Sequence, residues 1–133
     1  MVTRLLPRRI DIKEGEEIVL LGRIETLGGT ALVQADVTSF TVTLYDLDAT
    51  IPTTAVIAFA AVAPALGFYD TLQHDDAENR LGDIIGYNFK YTISGTYTAA
   101  MGGHNMVVEV KVLTVANGTR THIQEVVVAG KFS

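Results

Sequence analysis

Apolar residues recur at every second position over most of this chain, and the 3.6-residue period of an amphipathic helix hardly occurs. In EIVLLGRIE (17–25), Ile18, Leu20, Gly22 and Ile24 fall on one side. In SFTVTLYDL (39–47), Phe40, Val42 and Leu44 face one way, and Ser39, Thr41 and Thr43 the other. GYNFKYTI (86–93) alternates Tyr87, Phe89, Tyr91 and Ile93 with Asn88, Lys90 and Thr92. NMVVEVKVLTV (105–115) sets Met106, Val108, Val110 and Val112 against water-facing Glu109 and Lys111. THIQEVVVAG (121–130) opposes His122, Gln124, Val126 and Val128 to Ile123, Glu125 and Val127. Such alternation predicts strands with one wet and one buried face. A short first strand is expected at 9–12. A further strand is expected in TTAVIAFA (53–60), where the alanines also suit a helix but Pro52 and Pro64 bracket the stretch closely.

Turn signals separate these runs. Asn117 and Gly118 tolerate positive φ and predict a type I′ hairpin turn. Gly28 with Gly29, MGGH (101–104) and the charged KEGEE (13–17) do similar work. HDDAENRLG (74–82) predicts one or two helical turns ended by Gly82. About seven or eight strands with frequent turns predict an all-β fold, an immunoglobulin-like antiparallel β-sandwich. The expected core includes Phe40, Val42, Leu44, Tyr87, Phe89, Val108 and Val110. Asp83, Gly86, Tyr87 and Phe89 approximate the corner of immunoglobulin-like domains, in which a tyrosine hydroxyl bonds back to the preceding loop. Phe89 then stands where antibody domains keep a cysteine. The acid lies one residue farther away than in that pattern.

The length of 133 residues suits one domain, and 48% hydrophobic residues are enough to fold it. With no cysteine, a disulfide framework and thiolate metal sites are excluded. The longest apolar run, 55–68, contains Pro64 and is too short to cross a membrane. The net charge of −5 is uneven. Residues 1–13 hold four basic side chains and one acidic, giving +3, and the remainder holds six and fourteen, giving −8. An acidic body argues against nucleic acid as a partner. The division is therefore an N-terminal arm, 1–9, and one sandwich domain, 10–133. Arg4, Leu5, Leu6, Arg8 and Arg9 are the candidate partner-binding residues, because leucines between arginines suit a strand or plug added to a neighbouring subunit.

Candidate chemistry adds little. Asp46 with Asp48, and Asp75, Asp76 with Glu78, are acidic clusters without calcium-loop spacing, and read as solvated turn acids. His74, His104 and His122 form no ligand pair at helix or strand spacing. The serines, Ser39, Ser94 and Ser133, lie in no nucleophile elbow, and the glycine pairs lack phosphate-loop spacing. No catalytic, metal or cofactor residue is assigned, and no enzyme is expected. NGT (117–119) fits a glycosylation acceptor that the hairpin explains equally well. Tyr87, Phe89 and Tyr91 could stack sugars or bases, but their alternation places them in a core.

Through RRIDIKEGEEIVLLGRI, ADVTSFTVTLYDLD and YDTLQHDDAENRLGDIIGYNFKYTI the chain resembles a family of small tailed-phage virion proteins of decoration (cement) type. Its opening third is similar to the N-terminal immunoglobulin-like domain of phage baseplate upper proteins. The distinctive stretch is 70–89. Ala77 and Glu78 occupy the place where the family pattern leads one to expect tryptophan. The resemblance implies a non-enzymatic virion component. The expected role is decoration of the capsid exterior, as a homo-oligomer contacting the major capsid protein or other virion subunits. A tail adaptor or baseplate docking module is the alternative, and a carbohydrate-binding module ranks last.

Overall fold

Strands form where the alternation is clearest, and two more form where it is absent. The computed structural model describes residues 4–6, 9–25, 29–73, 86–116 and 118–130. Its strands are β1 (Arg4–Leu6), β2 (Arg9–Lys13), β3 (Ile18–Arg23), β4 (Val37–Asp46), β5 (Ala55–Val62), β6 (Phe68–Gln73), β7 (Tyr87–Ile93), β8 (Asn105–Thr114) and β9 (Gly118–Ala129). Short 3₁₀ turns occur at Gln34–Asp36, Pro64–Leu66 and Gly95–Tyr97. One sheet has the order β1-β3-β7-β6 and the other β2-β9-β8-β4-β5. This is an immunoglobulin-like sandwich: the first sheet follows the A-B-E-D order, and β9, β8 and β4 take the G, F and C places of the second.

The core lies between the sheets. Phe40, Val42, Leu44, Val108, Val110, Val112, Val126 and Val128 come from the five-stranded sheet, and Ile18, Leu20, Phe68, Phe89 and Ile93 from the other; all are buried. Every residue of the expected core is buried, Tyr87 included. Each large side chain contributes roughly 1.5–3 kcal/mol by leaving water. Phe40 is the hub, edge-on to Phe68, Phe89 and Tyr91 at 5.4–5.7 Å between centroids. Gly67 makes room for it, since a Cβ there would stand 2.5 Å from Phe40 Cζ.

The strand count exceeds the expectation by β1 and β6. β2 pairs in parallel with β9, from Arg9 opposite Glu125 to Lys13 opposite Ala129, so the five-stranded sheet is mixed instead of antiparallel. The segment 1–9 was expected as an arm, yet Arg4, Leu5 and Leu6 pair with Arg23, Gly22 and Leu21 of the same chain, and Arg9 opens β2. A switch from one sheet to the other divides this leading edge. Pro7, which cannot donate to a ladder, falls between the two pairings. The β8–β9 hairpin forms, but Thr114 faces Gly118, which leaves three residues (115–117) between them, and Gly118 takes φ +72°. The connection is thus a three-residue loop, not the two-residue type I′ turn. The helical turns expected at 74–82 lie outside the described residues.

Candidate functional site

The backbone of Arg4, Leu5, Leu6 and Arg9 is built into two edge strands, and Arg8 lies outside the described residues. The corner motif divides differently from its analogy. Asp83 is outside the described residues. Tyr87 opens β7, which lies between β3 and β6 in the four-stranded sheet, whereas the tyrosine corner belongs to the F strand, here β8. Phe89 is likewise an E-strand core residue and does not occupy the cysteine place. The Tyr87 ring packs edge-on against Tyr69 at 5.9 Å. At the entry to β7, Arg23 Nη1 donates to the Gly86 carbonyl (3.0 Å), and Arg23 Nε lies 3.6 Å from Glu25 Oε1. Gly86 sits at φ +117°, which a side chain would strain.

Two buried polar side chains that the pattern did not reveal fasten the loops. Asn88 is 1% exposed. Its Oδ1 accepts the Ile24 N–H, and its Nδ2 donates to the Ile24 and Leu32 carbonyls, all at 2.8 Å. It was expected to face water, but Ile24 and Leu32 meet that face and use the whole amide. Thr98, fully buried, accepts the Gly15 N–H (3.1 Å) and donates to the Glu16 carbonyl (2.7 Å). It locks the β2–β3 turn to the β7–β8 loop, where Gly95 lies so close to Gly15 that a Cβ could not fit.

A third constellation joins Asp46, Asp48 and His104. Asp46 ends β4 and is 5% exposed, so it is not the solvated turn acid expected. Its Oδ1 accepts the Asp48 N–H (3.0 Å), and its Oδ2 shares a 2.8 Å hydrogen bond with His104 Nδ1. Asp48 Oδ2 accepts the Asn105 N–H (2.7 Å). One ligand atom from each of the three residues falls within a 4.8 Å cluster, close enough to hold a cation. Each group already has a partner within the chain, however, and together they tie the β4–β5 turn to the start of β8. The remaining histidines do not join them: His74 lies outside the described residues, and His122 stands on β9 opposite Val110.

Beside this corner a cleft of about 290 Å³ is lined by Leu47, Asn105, Val107, Glu125 and Val127, among others. These side chains offer one carboxylate, one amide and apolar surface, with no nucleophile. The cleft opens on the outer face of the five-stranded sheet. That face also carries Leu113 and Ile123, 42% and 50% exposed, with Leu47 and Val115 exposed at the strand ends. Tyr45, Val107 and Glu125 form a cross-strand row among them. Glu109 and Lys111, 3.5 Å apart, add charge to it beside Glu125. The geometry suits a broad contact with another surface. No helix among the described residues is long and apolar enough to cross a membrane. No protein-family model matches the chain, and no curated protein matches it.

Proposed function

We propose that this protein is a non-enzymatic structural component of a tailed-phage virion, a decoration (cement) protein on the capsid exterior that bridges capsomers. The observation that carries the reading is the outer face of the five-stranded sheet. It presents Leu47, Leu113, Val115 and Ile123 to solvent on a two-layer scaffold whose loops are fastened by Asn88, Thr98 and Asp46. A rigid sheet that exposes apolar side chains in a polar surround binds by area, not by enclosing a substrate. The resemblance over 70–89 supplies the virion context. Arg4, Leu5, Leu6, Arg8 and Arg9 add to the contact from the rim, since β1 and β2 are edge strands with main-chain groups open to a partner.

The test is to mix the purified chain with capsids assembled from the major capsid protein of the same phage. Saturable co-sedimentation at a fixed ratio to capsomers is expected, with loss of binding in Ile123→Asp. Binding to tails but not heads would move the protein to an adaptor role. Binding to neither would overturn the virion reading.

A further inference from the structure

We propose that β5 pairs with β5 of a second copy of this chain, antiparallel about a two-fold axis at Ala58, so that two five-stranded sheets become one. β5 is an edge strand, and half of its main-chain groups lack a ladder partner. Charge singles it out among the edges. β1 carries Arg4, β2 carries Arg9, Asp11 and Lys13, and β6 carries Asp70. β5 carries none, and no charged residue occurs anywhere in 49–69. Two molecules of net charge −5 repel, so the neutral edge is where two copies meet without opposing like charges. A charged partner gains nothing there.

The register follows from the bulges. β5 pairs regularly with β4 only through Ile57, Ala58 and Phe59, opposite Leu44, Thr43 and Val42; shifts lie on both sides. On one side Ala61 takes φ +52°, and its N–H donates to Thr41 Oγ1 (3.3 Å). The unbulged stretch is therefore centred on Ala58. A two-fold axis there sets Ile57 of each copy opposite Phe59 of the other, the self-complementary contact of an isologous dimer. Ala58 and Ala60 are small and exposed, so nothing obstructs the approach. Ile51 and Leu66, among the most exposed large apolar residues, flank the strand and are covered by the pairing.

The chain has no cysteine, which makes the test direct. An antiparallel axis places the two Ala58 Cα atoms about 4.5–5.5 Å apart, within disulfide reach. Ala58→Cys is expected to form a covalent dimer on mild oxidation, and Thr121→Cys, exposed on β9, is expected not to. In sedimentation equilibrium the unmodified chain should dimerise. Ala58→Lys should weaken the dimer about tenfold or more, with the circular-dichroism spectrum unchanged. A chain monomeric at millimolar concentration, an Ala58→Lys dimer as tight as the parent, or equal cross-linking of the two cysteine variants would each overturn the proposal. If lysine disturbs the fold, the cysteine comparison decides. These measurements use the protein alone, so their outcome is separate from capsid binding.

Discussion

Asn88→Ala removes three hydrogen bonds from a site sealed from water. The Ile24 N–H loses its acceptor and the Leu32 carbonyl loses the amide that reaches it, while the Ile24 carbonyl keeps the Leu32 N–H at 2.9 Å. Two main-chain groups are thus left without these partners. Each orphaned buried group costs about 1–3 kcal/mol, so the loss is about 2–6 kcal/mol. A domain of this size has an unfolding entropy near 0.28 kcal/mol/K on the usual per-residue average, and the melting temperature should fall by roughly 7–21 °C. The assay is thermal unfolding followed by circular dichroism, with Lys90→Ala as the control. Lys90 lies on the same face of β7 but is only half-buried, and its truncation should change stability by no more than about 0.5 kcal/mol. A melting temperature for Asn88→Ala as close to the parent as that of Lys90→Ala would refute the argument that this amide holds the loop to the sheet.

Other outcomes follow from the same contacts. Gly67→Ala drives a methyl into Phe40 and should cost about 1–3 kcal/mol, read as a lower urea midpoint. Thr98→Val keeps the shape but leaves Gly15 N–H and Glu16 C=O without their hydroxyl; both groups are only part-buried and can reach water, so the two together should cost about 1–3 kcal/mol, measured in the same way. Burial, with the neighbouring Tyr97 adding to it, raises the Tyr91 phenol above its ordinary value of 10.0. Below that value the neutral phenol's contribution is fully present; above it the unfolded chain ionises first, so stability falls as pH rises toward the raised folded value. Urea titrations at stepped alkaline pH should show a shallower decline in Tyr91→Phe, and identical slopes would contradict the assignment.

The fold was legible where two neighbouring faces of a strand meet different solvents. β4 and β8 alternate because Phe40, Val42 and Leu44, or Val108, Val110 and Val112, meet the opposite sheet while Thr41, Glu109 and Lys111 meet water. β6 left no pattern, because only Phe68 and Gln73 keep register with β7 and Phe68 alone is buried. Asn88 followed the parity rule and was still misread, because the residues that close over it lie more than fifty positions away. Its one local signal is that asparagine is disfavoured in strands, so its presence there asks for a partner. Asp46 was hidden in the same manner, paired with a histidine fifty-eight residues on. The division of the first edge between two sheets was foreshadowed by Pro7 between two apolar pairs of positions.

The parallel pairing of β2 with β9 has a mechanical meaning. The two strands run in the same direction, so tension entering at Arg9 and leaving at Ala129 pulls them past one another along their length. The ladder between them is then loaded as a whole and resists in shear. An antiparallel neighbour behaves otherwise. Pulled at Asn105 and Val127, β8 and β9 separate from one end, one pair after another, like a zip. A single-molecule stretching experiment between the first pair of attachment points should therefore record a higher rupture force than one between the second. Load carried from one end of the domain to the other meets the stronger of the two geometries.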